Sequence, residues 1–295
     1  MKHIKLLYLF LLISWSSLPL QAADYLLQSP NGKLTVEIET KGQLSYTLKH
    51  NSQTLLDKSP IGLLLEDKIL GEDIKISRIK RNSSVKEHIV SPHYRLPSFE
   101  VTYNELNLKF KGNYGIIFRA YNEGIAYRFY TTMKGPLIIK DEMVQMNFPE
   151  DYPTFISYST MPTGEDQYAM AFQNLYTKSS IKGVDTNNIA FLPITIDCGN
   201  ELKMTLLESD LEDYPGMFIK GDGKNTSLQG TFAHYPSEIK NFPPRAMKRI
   251  TKRTDYIART TGERNYPWRI WAITEKDTEM PVNNLVYALA SPNRI

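Results

Sequence analysis

Five carboxylates crowd the stretch LLESDLEDYPGMFIKGDG: Glu208, Asp210, Glu212, Asp213 and Asp222. Acids at this density can ligate a hard cation, act as an acid–base pair on a glycosidic bond, or edge a sheet. A calcium loop of the EF-hand kind needs alternating oxygens, a central glycine and a closing glutamate. Glu208, Asp210 and Glu212 alternate, but Pro215 and Gly216 stand where ligands are still required, and no glutamate closes the loop. Glycoside hydrolysis needs two carboxyls held about 5–10 Å apart on rigid supports, which spacing along the chain does not supply. The remaining reading is a strand over Met204–Leu207, an acidic bend, and a Pro-Gly turn into Met217-Phe218-Ile219.

A second stretch, IARTTGERNYPWRIWAITEKD, is basic and aromatic. Arg259, Arg264 and Arg269, with Tyr266 and Trp268, suit a sugar-binding surface, a protein interface or sandwich core. Pro267 interrupts the run, which predicts aromatic tips at a sheet edge. Cys198 is the sole cysteine, so no intramolecular disulfide forms. With no histidine nearby in sequence, it reads as a buried thiol at a strand end rather than a nucleophile.

The elements that must hold these residues are strands. Leu34, Val36 and Ile38 alternate, as do Leu44, Tyr46 and Leu48. Phe99, Val101 and Tyr103 repeat the pattern, then Leu106, Leu108 and Phe110, read as two runs. Period-2 alternation marks strands with one face on a core. Turn signals separate them at Pro30-Asn31-Gly32, Lys41-Gly42, Gly112-Asn113 and Asn122-Glu123-Gly124. The last joins Ile116, Phe118 and Ala120 to Ile125, Tyr127 and Phe129 as a hairpin, with Arg119 and Arg128 on the opposite face. Short turns without intervening helices mean antiparallel pairing. The late segments, NNLVYALA included, read as further strands, and Glu165–Thr177 as one or two helical turns. The prediction is an all-β chain, one large antiparallel β-sandwich over residues 24–295.

Composition is ordinary: 41% hydrophobic, 23% charged and a net charge of +3 in 295 residues. No basic patch reaches the density that nucleic-acid binding needs. The N-terminus places Lys2 and Lys5 before an apolar run from Leu6 to Trp15, then Ala22-Ala23. That layout predicts a signal peptide over residues 1–23 and a secreted, periplasmic product without a stable membrane span. A retained anchor is the alternative, and the run lacks the cysteine of a lipoprotein.

Together, LLESDLEDYPGMFI, YIARTTGERNYPWRIWAI and NNLVYALASP, with FRAYNEGIAYRFY and SPNGKLTVEI, resemble the N-terminal module of glycoside hydrolase family 97. The resemblance runs through nearly the whole mature chain in order. It implies a galactose-mutarotase-like β-supersandwich that buttresses a (β/α)8 catalytic barrel. It also implies α-glucoside or α-galactoside substrates and a calcium ion in the complete enzyme. The family's catalytic carboxylates lie in the barrel, so no catalytic residue is expected in this chain. A barrel needs about 250 residues of its own, and the chain alone is expected to be inactive and to lack a tight calcium site. One sandwich glutamate reaches the calcium and substrate region in the family. In MNFPEDYPTFISYSTMPTGEDQYAMAFQNLYT the match is Glu165, the one metal and substrate-region residue expected here. A stand-alone carbohydrate-binding module and an assembly protein of a polysaccharide-utilisation system are the alternatives. The surface that would meet the barrel is expected at Thr154–Tyr176 and Arg259–Trp271.

Overall fold

A computed structural model describes residues 24–159, 166–169, 172–242 and 247–292. The leader expected at 1–23 lies outside the described residues, and so does Glu165. The chain opens with an antiparallel meander of β1 (Tyr25–Gln28), β2 (Leu34–Glu39), β3 (Ser45–His50) and β4 (Gln53–Leu65). After the short β5 (Ile69–Leu70) come β6 (Ile76–Val90), β7 (Ser98–Phe110), β8 (Tyr114–Tyr121) and the 24-residue β9 (Gly124–Asn147). Next are β10 (Pro153–Tyr158), β11 (Thr177–Ser180), β12 (Ala190–Asp197), β13 (Lys203–Ser209), β14 (Met217–Gly221) and β15 (Ser227–Phe232). An arm of β16 (Pro236–Phe242) and β17 (Met247–Arg253) precedes β18 (Ala258–Asn265) and β19 (Trp268–Thr274). A 3-10 segment (Asp277–Val282) and helix α1 (Leu285–Leu289) follow.

β9 organises the molecule. One of its edges pairs with β8 and, further along, with β4. The other edge pairs with β19, β18 and β15 in turn. Because one long strand serves five partners, 17 strands form a single hydrogen-bonded network. That network folds face to face on an apolar core. Val36, Ile38 and Tyr46 from the meander are buried with Ile116, Phe118, Ile125 and Tyr127 from β8 and β9. The Tyr46 and Tyr127 rings lie 5.5 Å apart, and Trp271 Nε1 donates to Tyr46 Oη at 3.0 Å. Each such apolar side chain contributes about 1.5–3 kcal/mol by leaving water. The antiparallel sandwich expected from the alternation is therefore the observed fold.

The glycine at the β8–β9 turn is fixed by crowding as well as by its φ of +154°. A Cβ on Gly124 would stand 2.3 Å from the carbonyl oxygen of Trp271, so the turn can press against β19 only without a side chain.

Three sequence expectations need correction. Ser98–Phe110 is one strand, not two. Leu106, Leu108 and Phe110 face the main core, whereas Val101 and Tyr103 face a second, smaller core on the outer side. The change of parity that looked like a break is a change of buried face along one strand. NNLVYALA is not a strand: Leu285, Ala288 and Leu289, spaced at i, i+3 and i+4, form the buried face of α1. They cap the outer core over Tyr121, Trp268 and Ile270. Finally, β19 is not a sheet edge. It lies between β9 and β13, and every one of its residues is buried. Pro267 sits in the two-residue gap between β18 and β19, where no ladder bond is lost.

Candidate functional site

Antiparallel pairing of β13 with β19 sets Glu208 opposite Arg269 and brings the two chemistry-bearing stretches together. Arg269 is 1% exposed. Its Nε and Nη2 donate to both oxygens of Glu142 at 2.8 and 2.7 Å, and its Nη1 donates to Glu208 Oε2 at 2.6 Å. Glu208 also accepts the Met217 amide at 3.0 Å, and Tyr214 Oη donates to Glu142 at 3.1 Å. The Phe232 ring lies 5.1 Å from the guanidinium carbon. Burial would lower the Arg269 pKa, but Glu142 and Glu208 outweigh it and keep the group charged. Burial raises the Glu208 pKa above the ordinary carboxylate value, against the pull of Arg269. The Tyr214 phenol is pushed well up by burial and by the neighbouring Glu142 charge.

Glu142 is buried and Glu208 largely so, whereas Glu212 and Asp213 of the same acidic stretch are exposed. A carboxylate pair bridged by one arginine, with the guanidinium between its members, has no room there for a sugar. Asp210, at φ +64°, accepts from Arg128, Ser291 N and Ser291 Oγ, and so ties the C-terminal segment to the acidic bend. Arg119 and Arg128 do lie opposite the main core, but neither points freely to water. Their guanidinium carbons stand 5.1 and 4.4 Å from the Trp268 ring centroid, the geometry of a cation–π contact. Tyr266, Trp268 and Arg269 are thus core residues, and of the basic-aromatic stretch Arg259 and Arg264 remain near the surface.

Glu142 was not singled out from sequence. Its signal was parity: it shares the buried face of β9 with Val144 and Met146, where an acid demands a partner. Nothing local names that partner, because Arg269 is 127 residues away.

Two surfaces flank this centre. The first is a groove of about 460 Å³ between the base of the β16–β17 arm and β18, lined also by Asp213, Tyr214 and Pro215 of the acidic bend. The second is an aromatic face over β12 and β14. Phe172 packs against Phe191 and Phe218 at 5.6 and 5.1 Å, Tyr176 against Phe191, and Tyr168 edge-on against Phe218. Leu175 beside them is 83% exposed. This face falls within the interface stretch expected at Thr154–Tyr176, while the part of the other stretch from Tyr266 to Trp271 is core.

Glu165 lies outside the described residues, but its neighbour Asp166 does not. Asp166 Oδ2 accepts from both Nε and Nη2 of Arg253 at 2.7 Å, and Oδ1 accepts the Tyr168 amide. Gln167 is anchored through Asn187 and Ile189. The following Gln167–Ala169 turn is 3-10 rather than α-helical. Calcium needs six to eight oxygens. Among the described residues no group of three His, Cys, Asp or Glu is placed to hold a metal ion, and Asp166 is already engaged by Arg253. The described residues alone do not fit the ion. Among them, too, no helix is long and apolar enough to cross a membrane.

Cys198 is buried just past the end of β12, and burial, helped by Asp197, pushes its thiol up to about 12. At pH 8 the folded protein should therefore resist iodoacetamide for hours and react once denatured; mass spectrometry reads the adduct. Rapid native alkylation would contradict the burial.

Fold and site define a large antiparallel β-sandwich module with a largely buried ionic centre and an open aromatic face. Residues 27–292 match the family described as Glycosyl-hydrolase 97 N-terminal, and the chain belongs to that family. A retaining alpha-galactosidase of Bacteroides thetaiotaomicron is 34% identical across 99% of this chain, which covers 45% of that protein. A glycoside hydrolase family 97 enzyme of Pseudoalteromonas sp. strain K8, solved with panose, superposes with a TM-score of 0.73 at 17% identity, over 92% of this chain and 38% of that one. A beta-arabinopyranosidase structure gives a TM-score of 0.71 at 16% identity, over 86% of this chain and 40% of that one. At those identities the structures speak for the fold. The chain spans less than half the length of each of these relatives.

Proposed function

We propose that the chain is the carbohydrate-binding and buttressing sandwich of a secreted, periplasmic family 97 α-glycosidase, packed on a (β/α)8 catalytic barrel. The substrate class is an α-glucoside or α-galactoside; the 34% identity to a retaining alpha-galactosidase favours the galactoside. The observation that carries the reading is the aromatic face. Phe172, Leu175 and Tyr176 are all exposed large apolar residues on one short segment. Contiguous apolar surface of this kind marks a partner site. Glu165 lies on the same connection, one residue before the anchored Asp166. It is the residue we assign to the calcium and substrate region shared with the barrel. The ion's remaining ligands would come from the barrel, and the sandwich shapes the rim of the active site.

The test is assembly. The purified chain should leave p-nitrophenyl α-galactoside and α-glucoside intact. It should co-sediment with the part of the Bacteroides enzyme beyond its matched region. Replacing Leu175 and Tyr176 by aspartate should weaken that association at least about tenfold, a loss of about 1.4 kcal/mol, with the β-sheet circular dichroism of the parent retained. Turnover by the chain alone that is lost in Glu165→Gln would refute the reading. So would association that ignores the aspartate pair.

A further inference from the structure

The groove beside β18 has one-sided chemistry. Among the described residues, Asp213 is the only acid that lines it, against Arg253, Arg259, Arg264 and His234. Two of the arginines are committed. Arg253 is held by Asp166, and Arg264 donates to the Glu212 carbonyl at 2.7 Å while lying over the Tyr214 and Tyr266 rings. Arg259 is different. It is exposed on β18, a strand locked by its ladder to β9, and its side chain has no hydrogen bond or ion pair among the described residues. A guanidinium on a rigid strand, with further positive charge around it, favours a planar oxyanion that it can grip with two parallel hydrogen bonds.

The rest of the lining favours a sugar ring behind that anion. Tyr235 is half exposed and stacks on Tyr256 at 5.9 Å with a 20° interplanar angle, a flat platform at the rim. Thr261 is exposed on the wall; its hydroxyl donates to the Glu263 carbonyl and leaves its oxygen to accept. A groove of about 460 Å³ falls within the roughly 300–1,000 Å³ of small-molecule sites.

We infer that this groove binds a carboxylate-bearing saccharide, with Arg259 gripping the carboxylate and Tyr235 supporting the pyranose ring. The inference goes beyond the assembly reading and does not rest on it, since no residue of the aromatic face is involved.

Calorimetric titration of the purified chain with digalacturonate, neutral galactobiose and sodium sulfate, at matched ionic strength, tests it. Digalacturonate should bind at least about tenfold more tightly than galactobiose. Arg259→Met should remove that preference. Because Arg259 is exposed, the variant should keep the parent melting temperature, and Tyr235→Ala should weaken binding while keeping the acid preference. Equal binding of the neutral and acidic disaccharides overturns the inference, as does an Arg259→Met variant that still prefers the acid. Sulfate that binds as tightly as digalacturonate would reveal a bare anion site and overturn it as well.

Discussion

Arg269→Met should destabilise the fold by about 3–5 kcal/mol, because it strips the counter-charge from a buried carboxylate, Glu142, and from a largely buried one, Glu208. Glu142 is buried, and Glu208 is held by one backbone amide once the guanidinium is gone. A domain has only about 5–15 kcal/mol in total, so the variant should sit near the edge of folding. For a chain of this size, each kcal/mol moves the melting temperature by roughly 2–4 °C. Urea titration and a thermal scan together read the loss. The companion variant, Glu142→Gln with Glu208→Gln and Arg269→Met, should recover a large part of it. With the charges gone, the desolvation cost falls, and the amides can still serve Tyr214 and Met217. A single Arg269→Met variant within about 1 kcal/mol of the parent would mean that the centre is wet and its charges screened.

Trp271→Ala should cost about 3–5 kcal/mol as well, for a different reason. The indole joins the two faces of the sandwich. Its ring meets Phe148 edge-on at 6.3 Å, and its nitrogen donates to Tyr46 on the facing meander. Burial drives the Tyr46 phenol up, and its oxygen accepts the indole N–H. Alanine removes the packing and the donor together. Trp271→Phe removes mainly the donor and should cost about 1–3 kcal/mol, the cost of a buried polar group left unmet. In Tyr46→Phe the same donor loses its acceptor. A double-mutant cycle between the two positions should give a coupling of about 0.5–3 kcal/mol. Additive losses would show that the hydrogen bond does not join the faces.

The ionic centre also explains why the acidic stretch misleads when read locally. Its first acid, Glu208, ends up largely buried against Arg269, its second, Asp210, ties down the C-terminal segment, and its fourth, Asp213, lines a groove. One local pattern of charge thus serves three unrelated environments. Aromatic residues mislead in the same way. Tyr266 and Trp268 look like a recognition surface by type but are core, while Phe172 and Tyr176 form the open face.

What the sequence determined by itself was class and periodicity. Alternation at Leu34–Ile38, Leu44–Leu48 and Ile116–Phe129 dictates strands, because a side-chain period of two puts one face of each against a core whatever that core contains. Glycines at Gly32, Gly42 and Gly124 mark turns because the backbone there adopts positive φ. The order of the signature stretches carried the family, and the solitary Cys198 its own burial. What only the tertiary structure decided was pairing. Which edge β19 presents, which face of β7 is buried at each end, and whether NNLVYALA finds a ladder or a surface to cap depend on contacts across the fold. Arg269 meets Glu142 across 127 residues of chain, and no local propensity encodes such a meeting. A strand's faces are written in its own residues; its neighbours are set by the free energy of the whole sheet, where one long strand, β9, serves five partners at once.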